Sequence, residues 1–382
     1  MFGVAFFSNQ FARKQGTGVA RYAHGLLDGF AELDAHPNVI PVATWSNRHP
    51  DDLAALKAKS GLRLLPTRRW LSPFLWLTIG YPKLEQLLDF DVDIVHANDL
   101  DYRVSTSKPY VVTVHDIGPL IHPEFFRKSS FYFLQKNLVS AIKKVSAFIC
   151  VSQSTEDTLR EYVQEKYSVD LSDRTYVTYE GISPQFSTQS ESLKLDFDDQ
   201  FDYLHQPFIL AVGKISPRKN LEVVIKALKK LNSSIPHHLV TVGGDGWDFQ
   251  NTKSLAESLG LSDRVHFRGF VSDITLNALY KKATLFIYPS LFEGFGLPVL
   301  EAMASGCPVI TSNISSLPEV SGEAALLIDP QDVDEVASAI EAICKNQSLA
   351  AELKRKGLER AGRFSWKKCA QETLKVYEKF VN

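Results

Sequence analysis

The segment PSLFEGFGLPVLEAMASGCPVI, Pro289 to Ile310, predicts a helix whose first turn can bind phosphate. It follows an apolar run typical of a buried strand, and its Gly-Phe-Gly turn lets a ligand approach the backbone closely. Pro298 suits the first helical turn, where its missing N–H costs nothing, and Gly306 suits the helix end. Because the first N–H groups are free and the helix dipole is positive there, an anion such as phosphate is favoured.

Two glutamates flank this helix start. Glu293 lies just before it, and Glu301 lies one turn inside it. A bound phosphate would repel a carboxylate, so each glutamate must serve another group of the ligand. An ionised carboxylate only accepts hydrogen bonds, which makes hydroxyl groups its natural partners. Phosphates together with hydroxyls on two sides indicate a nucleotide sugar.

A basic cluster follows another predicted strand. In the segment VGKISPRKN, Lys214 precedes Arg218 and Lys219. Lys219 alone could cap the next helix by chance, but three cations after a strand favour an anion. They would stabilise a leaving phosphate, so a metal ion would not be needed for that purpose. The nearest metal candidate is the pair Asp99 and Asp101, which follows the run VDIVHA.

Two further segments carry residues suited to a binding site. GTGVARY places Gly16 and Gly18 at the start of a predicted helix, and TVHD places His115 at the end of a predicted strand. A helix start without a ligand would also explain the glycines, whereas a dinucleotide fingerprint is disfavoured because Arg21 replaces its third glycine. A satisfied core histidine would explain His115 alone. Asp116, which follows it at the carboxyl end of the strand, favours a site role.

Two parallel sheets would position these residues. Apolar runs alternate with amphipathic stretches. This pattern is typical of a parallel sheet whose two faces are covered by helices. The runs are FGVAFF, VIPVAT, VDIVHA, YVVTVH, AFICVS and TYVTYE, and then FILAVG, HLVTVGG, RVHFRGF, ATLFIYPS, PVITS and AALLIDP. A polar interval, Ser183 to Pro207, separates the two groups and is predicted to be a linker. The sequence therefore predicts two doubly wound domains, with ligand outside the carboxyl ends of the strands and in the cleft between domains.

Composition and charge exclude several classes of protein. With 382 residues, of which 45% are hydrophobic and 23% charged, the chain is expected to be globular. A formal net charge of -2 gives no overall attraction to nucleic acid. The four cysteines lie far apart and signal neither a zinc site nor a disulfide framework. We expect a cytoplasmic location, because the start MFGVAFFSN lacks a signal-peptide pattern and no apolar run reaches the ~18 residues of a spanning helix.

The segment EGFGLPVLEAMASGCPVI resembles the E-x7-E signature of retaining glycosyltransferases of family 4, which have the GT-B fold. GTGVARY, TVHDIGPLIHPEFF, VGKISPRKN and SSLPEVSGEAALLIDP are similar to further segments of that family, in the same order along nearly the whole chain. The resemblance implies an α/β protein with two doubly wound Rossmann-like domains that face across a cleft. Residues 1–190 would bind the acceptor and residues 191–365 the nucleotide sugar. A last helix, residues 366–382, would cross back to the first domain.

The resemblance also implies roles for residues. Glu293 would contact the donor sugar, and Glu301 would hold the ribose hydroxyls. Lys214 stands where the family commonly has arginine. An ammonium group is a point charge and lacks the planar guanidinium that binds phosphate through two hydrogen bonds. Arg218 and Lys219 are therefore expected to bind the diphosphate. The implied catalytic residues are Glu293, His115, Arg218 and Lys219, and the implied donor-binding residues are Gly16, Gly18, Lys214, Arg218, Lys219, Phe270, Val271, Glu293, Gly294, Phe295, Gly296, Leu297 and Glu301. No metal and no other cofactor is implied.

The implied reaction moves a hexose from a GDP- or UDP-hexose to a glycan or lipid-linked glycan, with retention of configuration, in polysaccharide or O-antigen biosynthesis. HDIGPLIHPEFF and SPRKN are most similar to bacterial polysaccharide mannosyltransferases, which favours GDP-mannose. Two other functions stay open, a GT-B-like nucleotide-sugar epimerase and a non-catalytic nucleotide-sugar-binding protein.

Basic and aromatic residues interleave in two segments of the first domain, residues 68–83 and residues 125–136. This composition predicts a peripheral contact with the inner face of the cell membrane. A core helix with a basic edge would explain the same composition equally well.

Overall fold

The computed structural model describes residues 2–12, 18–45, 49–66, 71–189, 205–246 and 248–381. The chain divides into two compact units. Unit 1 comprises Met1–Gly181 and Ser365–Asn382, and unit 2 comprises Ile182–Phe364. Each unit is built on one parallel sheet covered by helices.

The sheet of unit 1 has seven described strands. They are β1 (Gly3–Phe7), β2 (Asn38–Ala43), β3 (Arg63–Leu64), β4 (Ile94–Ala97), β5 (Tyr110–Val114), β6 (Ala147–Cys150) and β7 (Thr175–Val177). Their order is β3-β2-β1-β4-β5-β6-β7, and the pairs are parallel. The order reverses at β1, where Phe7 pairs with Val42 on one side and Ala97 on the other.

The sheet of unit 2 has six described strands. They are β8 (Phe208–Val212), β9 (His238–Val242), β10 (Val265–Phe267), β11 (Leu285–Tyr288), β12 (Val309–Ser312) and β13 (Ala325–Ile328). Their order is β10-β9-β8-β11-β12-β13, again with parallel pairs. The reversal falls at β8, which lies between β9 and β11.

The helices cover these sheets. They are α1 (Gly18–Ala31), α2 (Pro50–Ser60), α3 (Leu71–Thr78), α4 (Gly118–Ile121), α5 (Lys128–Lys144), α6 (Gln153–Tyr167), α7 (Leu221–Lys230), α8 (Phe249–Ser258), α9 (Asp273–Lys282), α10 (Leu297–Ala304), α11 (Leu317–Ser321), α12 (Val333–Lys345), α13 (Gln347–Ala361) and α14 (Trp366–Tyr377). Short 3-10 helices occur at Asn9–Ala12, Leu84–Leu87, Pro123–Phe125, Pro217–Lys219 and Gly322–Ala324.

The helix α14 packs against α1 within unit 1, and two glycines of α1 allow the close approach. A Cβ at Gly25 would lie 2.1 Å from Trp366 Cε2, and a Cβ at Gly29 would lie 2.2 Å from Trp366 O. Any larger residue would clash with the indole or with the backbone of α14. The end of the described chain is therefore part of the body that holds β1 to β7.

The structure confirms the prediction of two doubly wound parallel α/β domains. Each predicted apolar run contains a strand, because the inner strands of both sheets are buried on both faces and so carry continuous apolar sequence. The sequence does not predict β3, which is two residues long and leaves little pattern. Of the predicted linker, residues 190–204 lie outside the described part of the chain.

Candidate active site

The carboxyl ends of β8 and β11 meet where the strand order of unit 2 reverses. The two strands are paired, with Leu210 opposite Phe286. The loops that follow them, residues 213–220 and 289–296, therefore leave the sheet side by side. In open parallel sheets, ligands bind in the crevice at such a reversal. These two loops carry the basic cluster and the first of the two glutamates.

Hydrogen bonds tie the two loops together. Leu291 N donates to Arg218 O at 2.8 Å. Asn220 Nδ2 donates to Pro289 O at 3.3 Å and to Pro330 O at 2.6 Å. Asn220 has a φ of 52°, a left-handed conformation that asparagine tolerates better than most residues. The loop that carries the cations is thus fixed to the loop that carries the carboxylate.

Arg218 and Lys219 bind both oxygens of the Glu293 carboxylate. Arg218 Nη1 lies 2.6 Å from Glu293 Oε2, and Lys219 Nζ lies 2.5 Å from Glu293 Oε1. Arg218 Nη1 also donates to Phe292 O at 2.6 Å. Lys219 donates to the Tyr288 hydroxyl, and its ammonium lies 4.4 Å from the centre of the Tyr288 ring. Two cations therefore surround one carboxylate at the edge of the sheet.

The Glu293 carboxyl group is ionised at neutral pH. Burial acts to raise its pKa, but the charges of Arg218 and Lys219 and their hydrogen bonds outweigh burial and lower the pKa to about 2. Two serine hydroxyl groups hold the backbone of Glu293 in place. Glu293 N donates to Ser315 Oγ at 3.1 Å, and Ser316 Oγ donates to Glu293 O at 3.0 Å. Such a carboxylate can accept hydrogen bonds but cannot serve as a general acid.

The helix α10 begins directly after the Gly-Phe-Gly turn. Gly296 has a φ of 111°, and a Cβ there would lie 2.8 Å from Leu317 Cδ2, so the turn requires glycine. Glu301 lies one turn into α10, is 3% exposed, and accepts a hydrogen bond of 3.4 Å from the Tyr280 hydroxyl. The other predicted residues of the turn are buried around it: Gly294, Phe295 and Leu297.

The glycines after β8 and β9 let the loops of these two strands pack closely. A Cβ at Gly243 would lie 2.2 Å from Gly213 O, and a Cβ at Gly246 would lie 1.5 Å from Ile215 O. The backbone amide of Gly213 donates to Val242 O at 2.8 Å. Backbone packing alone therefore requires the glycines of the sequence VGGDGW at positions 243 and 246.

The remaining predicted donor-binding residues are spread over other loops. Lys214 is exposed, and the side chains within salt-bridge distance of Glu293 in the described chain are Arg218 and Lys219. Phe270 is 60% exposed after β10, and Val271 beside it is half-buried. In unit 1, Gly18 begins α1, and Gly16 lies outside the described residues.

His115 lies at the carboxyl end of β5 in unit 1, and both of its ring nitrogens have partners. Nε2 lies 2.9 Å from Asn98 O, and Nδ1 lies 3.4 Å from Glu180 Oε1. Burial acts to lower the pKa of His115, but the hydrogen bond and charge of Glu180, with the charge of Asp99, outweigh burial and raise it. A carbonyl and a carboxylate only accept hydrogen bonds, so this environment favours the imidazolium with both nitrogens protonated.

A pocket of about 530 Å³ opens at the carboxyl edge of the unit 1 sheet. Gln10 follows β1, Asp99 and Asp101 follow β4, and Asp116 follows β5. His115 and Phe133 of α5 also line it. The pocket therefore lies where the strand order of unit 1 reverses, as the Glu293 cluster does in unit 2.

Comparisons with known proteins agree with this architecture. The sequence model described as Glycosyltransferase Family 4 matches residues 16–186, and the one described as Glycosyl transferases group 1 matches residues 195–360. The O-antigen chain mannosyltransferase B of Escherichia coli is 32% identical over 271 residues, which are 70% of this chain and 70% of that protein. The chain is a group 1, family 4 glycosyltransferase. Its two doubly wound domains are those of the GT-B fold.

Two further matches agree with this result, one with the family and one with the fold. The serotype-specific mannosyltransferase WbdA of Escherichia coli is 31% identical over 71% of this chain, which spans about a third (33%) of WbdA. A solved structure of sucrose-phosphate synthase from Thermosynechococcus elongatus matches this chain with a TM-score of 0.74 and 20% identity, and the match covers 99% of both chains. The second match shows the fold alone. The glycosyltransferase is thus related to O-antigen mannosyltransferases by sequence.

The structure adds residues that sequence reasoning missed. Tyr288 ends a buried strand and reads as a core aromatic, yet its hydroxyl and ring contact Lys219. Ser315 and Ser316 hold the Glu293 backbone; they begin the segment SSLPEVSGEAALLIDP, but the sequence analysis gave them no role in the site. Glu180 carried a usable signal, because it is an acidic residue at the end of the predicted strand run TYVTYE.

The described residues of this glycosyltransferase hold neither a metal-ligand cluster nor a membrane-spanning helix. No group of three or more His, Cys, Asp or Glu side chains is arranged to hold a metal ion there. The pair Asp99 and Asp101 instead forms a local turn, in which Asp101 N donates to Asp99 Oδ1 at 2.8 Å. None of the described helices has both the length and the apolar character needed to span a membrane.

Proposed function

We propose that this glycosyltransferase transfers a hexose, mannose from GDP-mannose, to a glycan or lipid-linked glycan acceptor with retention of the anomeric configuration. The acceptor would belong to polysaccharide or O-antigen biosynthesis. The observation that carries the proposal is the cluster of Arg218, Lys219 and Glu293 at the strand-order reversal of unit 2. It combines groups for a diphosphate with a group for a sugar hydroxyl.

The donor-binding side of the proposal rests on unit 2. The first N–H groups of α10 and the cations of Arg218 and Lys219 bind the diphosphate. The buried carboxylate of Glu301 accepts hydrogen bonds from the ribose hydroxyls. The loop at Phe270 and Val271 contacts the base, and the exposed Phe270 ring offers it a stacking surface. Arg218 and Lys219 neutralise the diphosphate, so the reaction proceeds without a metal ion.

The reaction exchanges one bond at the anomeric carbon. The bond from that carbon to the diphosphate oxygen breaks, and a bond to the acceptor oxygen forms on the same face. The proton of the acceptor hydroxyl passes to an oxygen of the departing diphosphate, so that the nucleoside diphosphate leaves. Arg218 and Lys219 stabilise the negative charge that develops on the leaving group as the sugar becomes oxocarbenium-like.

Glu293 acts as a fixed negative charge in this reaction. Its pKa of about 2 keeps the carboxylate ionised, so it accepts a hydrogen bond from the sugar and favours positive charge at the anomeric carbon. It does not donate a proton. The two cations hold the carboxylate in place before a ligand arrives, which lowers the reorganisation that the reaction requires.

We assign the acceptor to the first domain, residues 1–190, and the nucleotide sugar to the second, residues 191–365. The C-terminal segment, residues 366–382, whose described helix is α14 (Trp366–Tyr377), braces the first domain. In unit 1, we assign His115, whose pKa is raised by Glu180, to the catalytic residues, and Gly16 and Gly18 to donor binding. A peripheral contact with the inner face of the membrane would bring a lipid-linked acceptor within reach.

Mannose is the favoured hexose because the O-antigen chain mannosyltransferase B and WbdA of Escherichia coli bear that activity in their names. The test is a thermal-shift panel of GDP, UDP, ADP and their hexose conjugates. A ligand at 100 times its Kd stabilises a protein by about 2.7 kcal/mol. We expect GDP and GDP-mannose to give the largest shifts, followed by mannose transfer with retention, read by NMR of the product.

Other outcomes would contradict the proposal. A larger thermal shift with UDP than with GDP would indicate a UDP-hexose as the donor and would contradict GDP-mannose. An altered hexose after incubation with donor alone would indicate an epimerase, and nucleotide-sugar binding without transfer to any glycan would indicate a non-catalytic binding protein. A product with inverted anomeric configuration would contradict the retaining mechanism but not the assignment as a transferase.

A further inference from the structure

We propose that Ser315 is a positioning residue for the transfer reaction, and that its hydroxyl group holds the Glu293 carboxylate in the orientation that acts on the donor sugar. This inference rests on the proposed function, in which Glu293 is the fixed negative charge, and deepens it by naming a residue on which that charge depends. Ser315 lies between β12 and α11. It belongs to residues 311–316, TSNISS, which we call the hydroxyl segment.

The hydroxyl segment binds the backbone of the loop that carries Glu293, residues 289–296. Its four hydroxyl groups donate to carbonyl oxygens of that loop and of the strand end before it. In chain order, Thr311 Oγ1 donates to Tyr288 O at 3.0 Å, Ser312 Oγ to Ser290 O at 2.7 Å, Ser315 Oγ to Glu293 O at 2.5 Å, and Ser316 Oγ is shared between Glu293 O at 3.0 Å and Phe295 O at 2.8 Å. Since buried carbonyl groups need partners, the course of this loop depends on these hydroxyls.

Ser315 is the member of the hydroxyl segment that binds both backbone polar groups of Glu293. Its Oγ accepts a hydrogen bond of 3.1 Å from Glu293 N and donates one of 2.5 Å to Glu293 O. The side chain of Glu293 extends from this backbone to Arg218 and Lys219, which bind its two carboxylate oxygens. Glu293 is thus held at its carboxylate by two cations and at its backbone by the hydroxyl of Ser315.

The backbone of Ser315 has a conformation that serine rarely adopts. Its φ is 60°, in the left-handed region that glycine enters without strain and most other residues avoid. Contacts on both sides fix it, because Asn313 N donates to Ile328 O at 2.8 Å and Arg360 Nε donates to Val320 O at 2.9 Å at the end of α11. Strained residues persist where the surrounding structure determines them, and they cluster at functional sites. The contacts of the hydroxyl with Glu293 explain why serine occupies a position that favours glycine.

Loss of this hydroxyl should affect the chemical step more than donor binding. The proposed diphosphate contacts come from Arg218, Lys219 and the start of α10, and the loop of the cations is fixed separately, because Leu291 N donates to Arg218 O at 2.8 Å. The carboxylate instead acts on the anomeric carbon, where a displacement of about 1 Å can lower a rate by about 100-fold. Ser315 should therefore affect kcat and leave KM nearly unchanged.

Ser315→Ala and Ser315→Gly separate the hydroxyl from the strain, since the first variant removes the hydroxyl alone and the second removes both. Each should lower kcat for single-turnover mannose transfer from GDP-mannose by about 10- to 100-fold. KM for GDP-mannose and Kd for GDP should stay within about twofold of the wild-type values. The Tm of Ser315→Gly should exceed that of Ser315→Ala, because glycine accepts the left-handed conformation. A wild-type rate in Ser315→Gly would overturn the proposal.

Ser168 provides the matched control. It also has a left-handed conformation, with a φ of 54°, at the end of α6 in unit 1. Ser168→Ala and Ser168→Gly should show the same order of Tm as the Ser315 variants and should leave kcat unchanged. A loss of kcat in the Ser168 variants as large as that in the Ser315 variants would attribute both losses to backbone strain and would contradict a role of the Ser315 hydroxyl.

A double-mutant cycle with Glu293→Gln tests whether Ser315 acts through Glu293. In the Glu293→Gln background, Ser315→Ala should lower kcat by less than about twofold further, because the charge that the hydroxyl positions is already absent. The same 10- to 100-fold loss in both backgrounds would show that Ser315 acts elsewhere.

Urea unfolding gives a readout that does not depend on activity. The low pKa of Glu293 means that its ion pairs stabilise the fold at pH 7 and lose this effect as the pH falls towards 2. If Ser315→Ala displaces the carboxylate from the two cations, Glu293→Gln should cost less stability at pH 7 in the Ser315→Ala background than in the wild type. An equal cost in both backgrounds would contradict the positioning role.

Binding of GDP and UDP to the wild type, measured on the same samples, separates the two proposals. If neither nucleotide binds and no hexose is transferred, the proposed function fails and the role of Ser315 fails with it. If the wild type binds a nucleotide and transfers a hexose but the Ser315 variants keep the wild-type kcat, the positioning role fails alone.

Discussion

Lys219 Nζ lies 2.5 Å from Glu293 Oε1, although the two residues are 74 positions apart in the sequence. Arg218 holds the other carboxylate oxygen at 2.6 Å. The three groups carry two positive charges and one negative charge, so an anionic ligand and the carboxylate compete for the same cations. The carboxylate therefore orients the cations but also reduces their attraction for a diphosphate.

The first prediction concerns this competition. Glu293→Gln keeps the shape of the side chain and removes its charge, so kcat should fall by about 100- to 1,000-fold, as expected when a transition-state electrostatic group is lost. Free nucleoside diphosphate should bind at least as tightly as before, because Arg218 and Lys219 are released from the carboxylate. Single-turnover transfer and calorimetry with the free nucleotide measure the two effects.

Glu301→Ala is the comparison for Glu293→Gln. If Glu301 holds the ribose, it contacts a part of the donor that does not change in the reaction, so its loss should raise KM with little change in kcat. Donor and free nucleotide should both weaken by about 10- to 100-fold. If Glu293→Gln weakened the free nucleotide as much as Glu301→Ala, the roles proposed for the two carboxylates would be wrong.

The fold was predictable because local patterns encode it. Strands buried on both faces carry apolar runs, and helix α10 is bounded by Gly296 and Gly306, whose φ angles of 111° and 75° disfavour other residues. The sequence also placed charged groups at the ends of these strands. Parallel strands share a carboxyl edge, so this was enough to predict a site there.

The contacts within the site were not predictable in the same way. Lys219 meets Glu293 because β8 pairs with β11, three strands later in the chain, and no local pattern records that pairing. Glu180 follows β7 and reaches His115 after β5 although β6 lies between the two strands. Such contacts depend on strand order and loop path, which the short-range signals of one sequence do not contain.

The second prediction is that transfer survives chelation. If Arg218 and Lys219 neutralise the diphosphate, EDTA should leave the transfer rate within about twofold of the untreated rate, whereas metal-dependent transferases lose their activity. Lys219→Met should weaken the free nucleotide by about 10-fold or more, because it removes a charged hydrogen bond. Lys226→Met, on the exposed face of α7, is the matched control. Recovery of EDTA-treated enzyme only upon addition of Mg²⁺ or Mn²⁺ would contradict the prediction.

The third prediction concerns an apolar patch of unit 1, the α3 surface, formed by Phe74, Leu77, Ile79 and Tyr81, each at least half exposed. We expect unit 1 to bind anionic vesicles through it. Phe74→Ser with Leu77→Ser should reduce co-sedimentation at least fivefold, because both side chains are available for insertion at the lipid interface.

Controls separate insertion from charge. Ile274→Ser removes a similarly exposed residue from unit 2 and should have no effect on vesicle binding. The basic segment 125–136 should make binding stronger with anionic than with neutral vesicles at low salt, since surface lysines and arginines are attracted to anionic lipids. If equal amounts of protein sedimented with anionic and with neutral vesicles, the predicted electrostatic contribution to binding would be wrong.

The fourth prediction concerns the pH dependence of the Glu293 ion pairs. The pKa of Glu293 is about 2 in the folded chain against a reference value of 4.5, so its contribution to stability is present above pH 4.5 and is lost as the pH falls towards 2. A shift of this size corresponds to about 3 kcal/mol. Urea unfolding should therefore show a larger difference between wild type and Glu293→Gln at pH 7 than at pH 3. An equal difference at both pH values would contradict the assignment.

The last prediction concerns Glu180, which we expect to act through His115 as a positioning residue. Glu180 raises the pKa of His115 against the effect of burial, so in Glu180→Gln burial should dominate and lower that pKa below its ordinary value near 6.5. A raised folded-state pKa contributes stability below the unfolded-state value, and this contribution is lost as the pH rises through the folded-state value. Glu180→Gln should therefore cost more free energy of unfolding at pH 6 than at pH 9.

NMR titration of the His115 ring, with urea unfolding at both pH values, tests this directly. The alkaline limb of the pH profile for transfer should also move to lower pH in Glu180→Gln, because less of the enzyme then carries the imidazolium. Glu161→Gln on the exposed face of α6 serves as the control and should leave both the titration and the profile unchanged. A Glu180→Gln protein with an unaltered His115 titration would show that the 3.4 Å contact has no electrostatic role. Lower activity without a shifted profile would then reflect packing alone.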